Sequence, residues 1–225
     1  MIAAFTIFYD VAILARKGTF YAGHSKNKLV ALTFDDGPSP RWTPQILSAL
    51  KQAGIKATFF MVGEHVQKYP DIARSVVSEG HEVGNHSYSH HVFHYYKTNE
   101  ITDEIKETEQ VIRETTGVTT NYFRPPRGWL TKSGKNIINK LGYKVVLWSL
   151  NSKDWVTFDS KHIVKYLVRN IRSGDIILFH DSGGIMGLGT EGGGRHETIK
   201  TIPRLAKELR EKGYKFVTVK ELFKS

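Results

Sequence analysis

The sequence predicts an α/β protein made of repeated βα units around a parallel sheet, and three observations carry that expectation. From Lys28 onward, short β-rich runs alternate with longer stretches of helical periodicity. Several helical stretches end near a glycine, at Gly54, Gly80, Gly117, Gly142, Gly174 and Gly213, which suits the position just past a helix C-terminus. Polar and metal-capable residues recur directly after the strands, the end where parallel α/β folds place their chemistry. Two architectures satisfy this pattern: an open doubly wound sheet, or a closed barrel slightly smaller than the eight-fold one.

Taken in order, the apolar run "LVALTF" predicts a strand over 29–34, and a helix follows over 43–53 up to Gly54. "ATFFMV" predicts the second strand over 57–62, a helix over 70–78 ends at Gly80, and "HEVGN" predicts the third strand over 81–85. A long helix is expected over 99–116, then a strand over 121–124, a helix over 132–141 and a strand over 144–149 in "KVVLWS". A helix over 161–172, a strand over 175–180 in "DIILFH", a helix over 197–212 and a last strand over 215–219 complete seven strands and six helices.

A chain of 225 residues fits one domain or at most two small ones, and 40 % apolar content is enough for a core. Thirty-two basic against twenty-two acidic residues give a net charge of +10, which favours an anionic partner. No basic run with interleaved aromatics and no zinc-finger spacing is present, so nucleic acid is not expected as a partner. The absence of cysteine removes thiol nucleophiles, disulfides and Cys-based metal sites, and leaves the redox compartment open. Residues 1–27 form an apolar N-terminal segment, broken by Asp10 and stopped by Arg16 and Lys17. It is shorter than a spanning helix and lacks the basic start of a signal peptide. Two readings of it stand: the C-terminal end of a membrane anchor that starts upstream, or an amphipathic element packed on the domain of 28–225.

The residues after successive strands are Asp35-Asp36, Gly63-Glu64-His65, His86 with His90, Arg124 to Arg127, 151–155, and His180-Asp181. Asp, Gly, Pro and Ser are turn formers, so "DDGPSP" alone could be turn punctuation. "GNHSYSHH" places His86 and His90 four apart, which suits a shared divalent metal in a helical turn or a strand, with His91 and His94 crowding the same segment. A carboxylate from the end of the first strand completes a two-histidine, one-carboxylate set with coordination positions open for substrate and water. Spacing alone leaves Asp35 and Asp36 interchangeable in that set.

"TFDDGPS", "HSYSH", "FRPPRG", "KDW" and "ILFHD", in this order, resemble the five motifs of the polysaccharide deacetylase family, carbohydrate esterases that share a NodB-like domain. The resemblance covers 28–223 and implies a single domain with a distorted (β/α)7-type barrel. It implies that Asp36, His86 and His90 bind one divalent ion, usually zinc, with cobalt, manganese and nickel as other candidates. Asp35 matches the general base, Arg124 the arginine that holds it, His180 the general acid and Asp154 its carboxylate partner. Trp155 and Leu178 match the apolar pocket for the acetyl methyl, although Leu178 equally suits barrel filling. The implied reaction is hydrolysis of N-acetyl groups on amino sugars of a glycan polymer.

The third motif departs from the commoner pattern by placing Arg127 where an aromatic is frequent. A backbone N–H at that position survives the change, so Arg127 bears on substrate preference. A cation at the mouth suits an anionic substituent such as the lactyl carboxylate or peptide of peptidoglycan, so that polymer is expected before chitin, with an extracytoplasmic, cell-wall or membrane-associated location. A noncatalytic glycan-binding module is the competitor of another class. Gly187, Gly189 and Gly192 satisfy G-x-G-x-x-G but lack the strand-to-helix context of a dinucleotide site, and 182–195 is read as a flexible loop beside His180. His24, His65, His81, His162 and His196 are expected to be structural or surface histidines.

Overall fold

The computed structural model describes residues 18–23, 27–92, 97–183 and 194–225. The leading part of the N-terminal segment, His24, His94 and most of the glycine-rich 182–195 lie outside them. The elements are β1 (Leu29–Asp35), α1 (Thr43–Ala53), β2 (Thr58–Met61), α2 (Gly63–Lys68), α3 (Pro70–Ser78), β3 (Glu82–Asn85), α4 (Thr98–Thr116), β4 (Tyr122–Phe123), α5 (Lys132–Lys140), β5 (Lys144–Val145), β6 (Leu150–Asn151), α6 (Ser160–Asn170), β7 (Ile176–His180), α7 (His196–Glu211), β8 (Lys215–Val217) and α8 (Val219–Leu222). The strands form one sheet in the order β5-β4-β3-β2-β1-β7-β6. Every pairing is parallel, and β8 joins the first half of β1 while β2 joins the second half. Of the two architectures the sequence allowed, the barrel is realised in distorted form, as a single domain of the (β/α)7 type.

Strand alternation divides the core in two. On β1, Val30, Leu32 and Phe34 face the helices, where they pack with Phe59 and Met61 of β2, Ile177 and Phe179 of β7, and the inner faces of α1 and α7. Phe34 stacks on Phe59 and Phe179 with centroids 5.0 and 5.7 Å apart, so truncating it to Ala would cost about 3–5 kcal/mol. The opposite residues Ala31 of β1, Phe60 of β2 and Ile176 and Leu178 of β7 fill the barrel interior with Phe123, Leu147 and Trp148. By the same alternation Asp35 and His180 end on the interior side, and the register pairs them directly.

Several elements differ from expectation. The strand predicted over 144–149 is broken: β5 pairs with β4, β6 pairs with β7, and the four residues between cross from one sheet edge to the other. Residues 18–23 lie over this seam, with Phe20 bridged to Val146 and Ala22 to Asp175. Phe20 N–H donates to Val145 O (2.8 Å), Leu147 N–H to Phe20 O (2.7 Å) and Gly23 N–H to Gly174 O (2.8 Å). The approach is close enough that a Cβ on Gly174 would lie 2.2 Å from Gly23 O, and Gly174 also has a left-handed φ of 87°. The last predicted strand stops at Val217 because Thr218 and Glu221 form a capping box that starts α8.

Candidate active site

Among the described residues, five other than glycine have positive φ, and all lie beyond strand C-terminal ends: Asp36 (79°), Ser87 (68°), His90 (59°), Arg127 (55°) and Lys153 (57°). Left-handed backbone costs a residue with a Cβ about 1–2 kcal/mol, and this strain is concentrated at one rim of the barrel. Its effect is clearest at Asp36. Continued alternation would send it to the side opposite Asp35, but the left-handed turn releases it from the strand and its Oδ1 lies 3.4 Å from His86 Nε2 and 3.1 Å from His90 Nε2.

His86 Nδ1 lies 2.7 Å from the carbonyl oxygen of Arg124, which can only accept, so Nδ1 carries the proton and Nε2 presents its lone pair toward Asp36. A tetrahedral ion with bonds of about 2.0–2.1 Å requires donor atoms about 3.3 Å apart, and one oxygen and two imidazole nitrogens form a donor set for a first-row divalent ion. Donor atoms of Asp36, His86 and His90 lie within 4.8 Å of one another, so the residues present fit such an ion. Burial would raise the Asp36 carboxyl, but the charge of His90 leads the influences that hold it well below the usual carboxylate range.

Asp35 is buried beside this cluster and held by Arg124, whose Nη1 donates to Asp35 Oδ1 at 2.6 Å. Arg124 is itself fully buried, with Nε donating to Val146 O (3.1 Å), Nη2 to Leu147 O (2.9 Å) and Nη1 also to Thr33 Oγ1 (2.8 Å), and its guanidinium lies 4.0 Å over the Phe60 ring. These bonds fix the guanidinium, leaving Asp35 Oδ2 on the side of His86, 3.8 Å from Nε2.

Across the rim, His180 Nδ1 donates to Asp154 Oδ1 (2.8 Å) and its backbone N–H to Asp154 Oδ2 (3.0 Å). Thr198 Oγ1 donates to the same Oδ2 at 2.8 Å. Burial lowers the His180 imidazole, but the carboxylates of Asp154 and then Asp36 outweigh it and leave the ring above its ordinary value. Burial likewise opposes ionisation of Asp154, yet His180 carries it down to about 2. Asp181 is buried and accepts from Thr43 Oγ1 (2.6 Å); burial first, then Asp36 and Asp35, push it up to about 7. Its carboxylate fills the space beside Gly37, where a Cβ would come within 2.1 Å of Oδ2.

The structure therefore brings Asp35, Asp36, His86, His90, Arg124, Asp154 and His180 to one rim. Leu178 is buried in the interior two residues before His180, and Trp155 is half-buried in the loop after β6. Arg127 stands in the turn after β4, close enough for its charge to act on His90. Among the histidines read as structural, His81 is in the core, His162 is exposed beside Asp159 and His196 packs edge-on against Trp42. His65 differs, because its Nδ1–H donates to the Asp36 carbonyl at 2.7 Å and thereby supports the strained turn. Its appearance after the second strand was the available signal. Thr33, Thr43, Thr198 and Arg195 had none, since each reaches its partner through the fold.

Comparison with known proteins identifies the family. A peptidoglycan-N-acetylglucosamine deacetylase of Bacillus cereus is 37 % identical over 210 residues, covering 89 % of this chain and 90 % of the relative. The crystal structure of the Bc1960 peptidoglycan N-acetylglucosamine deacetylase superposes with a TM-score of 0.86 at 30 % identity, over 96 % of this chain and 97 % of that one. A pseudoenzyme of carbohydrate esterase family 4 from Bacillus anthracis also shares the fold, with a TM-score of 0.80 at 28 % identity over 90 % of this chain and 67 % of its own. The family model described as polysaccharide deacetylase matches residues 22–146, which hold the first three motifs and the strands that present them. The chain belongs to the polysaccharide deacetylase family, the carbohydrate esterases with a NodB-like domain.

Proposed function

We propose that this protein is a metal-dependent N-deacetylase of a cell-wall polysaccharide, with peptidoglycan as its polymer, releasing acetate and leaving a free amine on the sugar. The observation that carries the proposal is the convergence, on one rim, of a candidate ion-binding trio with two differently held proton-transfer groups. Asp36, His86 and His90 would hold the ion, zinc by preference, with cobalt, manganese or nickel as substitutes. When bound, it supplies Lewis-acid polarisation of the amide carbonyl and lowers the pKa of water near it.

The chain's own groups do the rest. Asp35 Oδ2, the oxygen Arg124 does not hold, accepts the proton of the attacking water. As the C–N bond breaks, the leaving nitrogen needs a proton, and His180 supplies it from Nε2 because Nδ1 is committed to Asp154. The backbone N–H at Arg127 stabilises the developing oxyanion, and Trp155 and Leu178 receive the acetyl methyl. Arg127, the net charge of +10 and the peptidoglycan deacetylases among the relatives favour a glycan bearing carboxylates over neutral chitin. That substrate implies an extracytoplasmic location at the cell wall or membrane. No helix among the described residues is long and apolar enough to cross a membrane.

The test is acetate release from purified peptidoglycan and from chitin oligomers by metal-loaded wild type, Asp35→Asn and Arg127→Ala. Preference for peptidoglycan that weakens in Arg127→Ala, with Asp35→Asn inactive, is the expected result. Full activity of Asp35→Asn would remove the assigned base, and equal rates on both glycans, insensitive to Arg127→Ala, would favour a chitin deacetylase. The similarity to a pseudoenzyme supports a second reading, a noncatalytic glycan-binding module, for which glycan binding would persist in the metal-loaded protein without acetate release.

A further inference from the structure

The described residues contain two nearly inaccessible arginines, Arg124 and Arg195, at 0 % and 3 % exposure. Arg124 has Asp35 as counter-ion. Arg195 has no carboxylate within ion-pair distance among the described residues, and its guanidinium is used on main-chain carbonyls instead. Nε and Nη2 donate to Ser182 O at 3.1 and 2.7 Å, and Nη2 also to Gly183 O at 3.1 Å. These carbonyls belong to the second and third residues after His180, so Arg195 fastens the start of α7 to the segment that leaves β7. Gly183 is the crossing point: it has a φ of 72°, and a Cβ there would lie 2.8 Å from Asp36 Oδ2 and 3.7 Å from Arg195 Nη2. The cation is thus within reach of the rim. Three residues on, Thr198 holds Asp154 Oδ2 at 2.8 Å.

A buried guanidinium without a counter-ion is costly, and a site that retains one gains something from its charge. We propose that Arg195 is a positioning residue for the proton-donating half of the site: it buckles the chain after His180 to the start of α7 and keeps a fixed positive charge against the His180–Asp154 pair. This rests on the reading of His180 as the proton donor. The charged groups around His180 are Asp154 after β6, Asp35 as its register partner on β1, Asp36 just after β1 and Arg195 before α7. The carboxylates of Asp154 and Asp36 draw a proton onto the ring and Arg195 opposes them.

The test compares wild type, Arg195→Lys and Arg195→Gln. Lys keeps the charge without the forked hydrogen bonds, and Gln keeps a hydrogen-bond donor without the charge. Ring-labelled histidine NMR, with the His180 signal assigned from its loss in His180→Gln, reads the titration midpoint in the metal-loaded protein without substrate. We expect the midpoint to rise by about one pH unit in Arg195→Gln and to stay near wild type in Arg195→Lys. The alkaline limb of kcat/KM should move with it. Should Arg195→Gln not fold, Arg195→Met serves as the neutral variant. Equal midpoints in wild type and the neutral variant would overturn the proposal. If wild type releases no acetate, the functional reading fails while the titration still decides the role of Arg195.

Discussion

His86 and His180 are imidazoles on facing parts of one rim, each fixed through Nδ1, yet they are held by different kinds of acceptor. On the β3 side the acceptor is the Arg124 carbonyl, 2.7 Å away; on the β7 side it is the Asp154 carboxylate, 2.8 Å away. Both bonds select the tautomer and the ring orientation. Only the second adds a full negative charge, which draws a proton onto the ring. The first arrangement leaves a directed lone pair, suited to a metal, and the second a held proton, suited to a leaving group. The acceptor at Nδ1 thus decides which job a buried histidine can do.

The largest effect should come from the group between the two halves. Asp35→Asn is expected to lower acetate release by about 10³-fold with bound metal unchanged, measured by turnover alongside metal analysis. On the ligand side, His86→Ala should weaken metal binding by at least about 100-fold, read by competition with a chelator, and leave the alkaline limb of any residual activity in place. Asp154→Asn makes the β7 side resemble the β3 side by replacing an anionic acceptor with a neutral one. Removing the charge that raises His180 lowers its proton affinity, so the alkaline limb of kcat/KM should move to lower pH and the rate fall by about 10²-fold.

The smallest effect belongs to a histidine remote from the rim. His81 Nδ1 accepts from Ala57 N–H at 3.1 Å, and burial, helped by Lys56, depresses the ring to about 4. Its folded value lies below the unfolded one near 6.5, so the unfolded chain binds more protons between those limits. Stability from this group is nearly complete above pH 6.5 and declines as pH falls toward 4, by about 3 kcal/mol. His81→Gln should flatten that part of the stability curve in urea titrations and leave the rate at pH 7 unchanged.

Much of this contrast was visible in the sequence, because strand ends and motif residues coincide: Asp35 and His180 follow apolar runs, and His86 and Arg124 stand at the ends of shorter expected strands. The division of labour between Asp35 and Asp36 was not. It depends on a left-handed turn at Asp36 and on Arg124, 89 residues distant in the chain. The break between β5 and β6 was hidden since "VVLW" within "KVVLWS" is one unbroken apolar run, and periodicity cannot say that its two ends pair with different neighbours. The helix α2 escaped detection because six residues starting with glycine leave little periodic signal. The start of α8 was readable, through Thr218 and Glu221 as a capping box. The supports from Arg195 and Thr198 arise only when α7 is folded back against the rim.

The segment over the barrel seam carries a practical consequence for anyone shortening this protein. Residues 18–23 occupy main-chain hydrogen-bonding groups at Val145, Leu147 and Gly174 that would otherwise form a bare strand edge. A truncation begun at Lys28 would uncover that edge, together with the Phe223 ring that Phe20 covers at 4.9 Å. Exposed edges recruit further strands, so such a fragment should self-associate increasingly with concentration even while the rim that holds Asp35 and His180 stays whole.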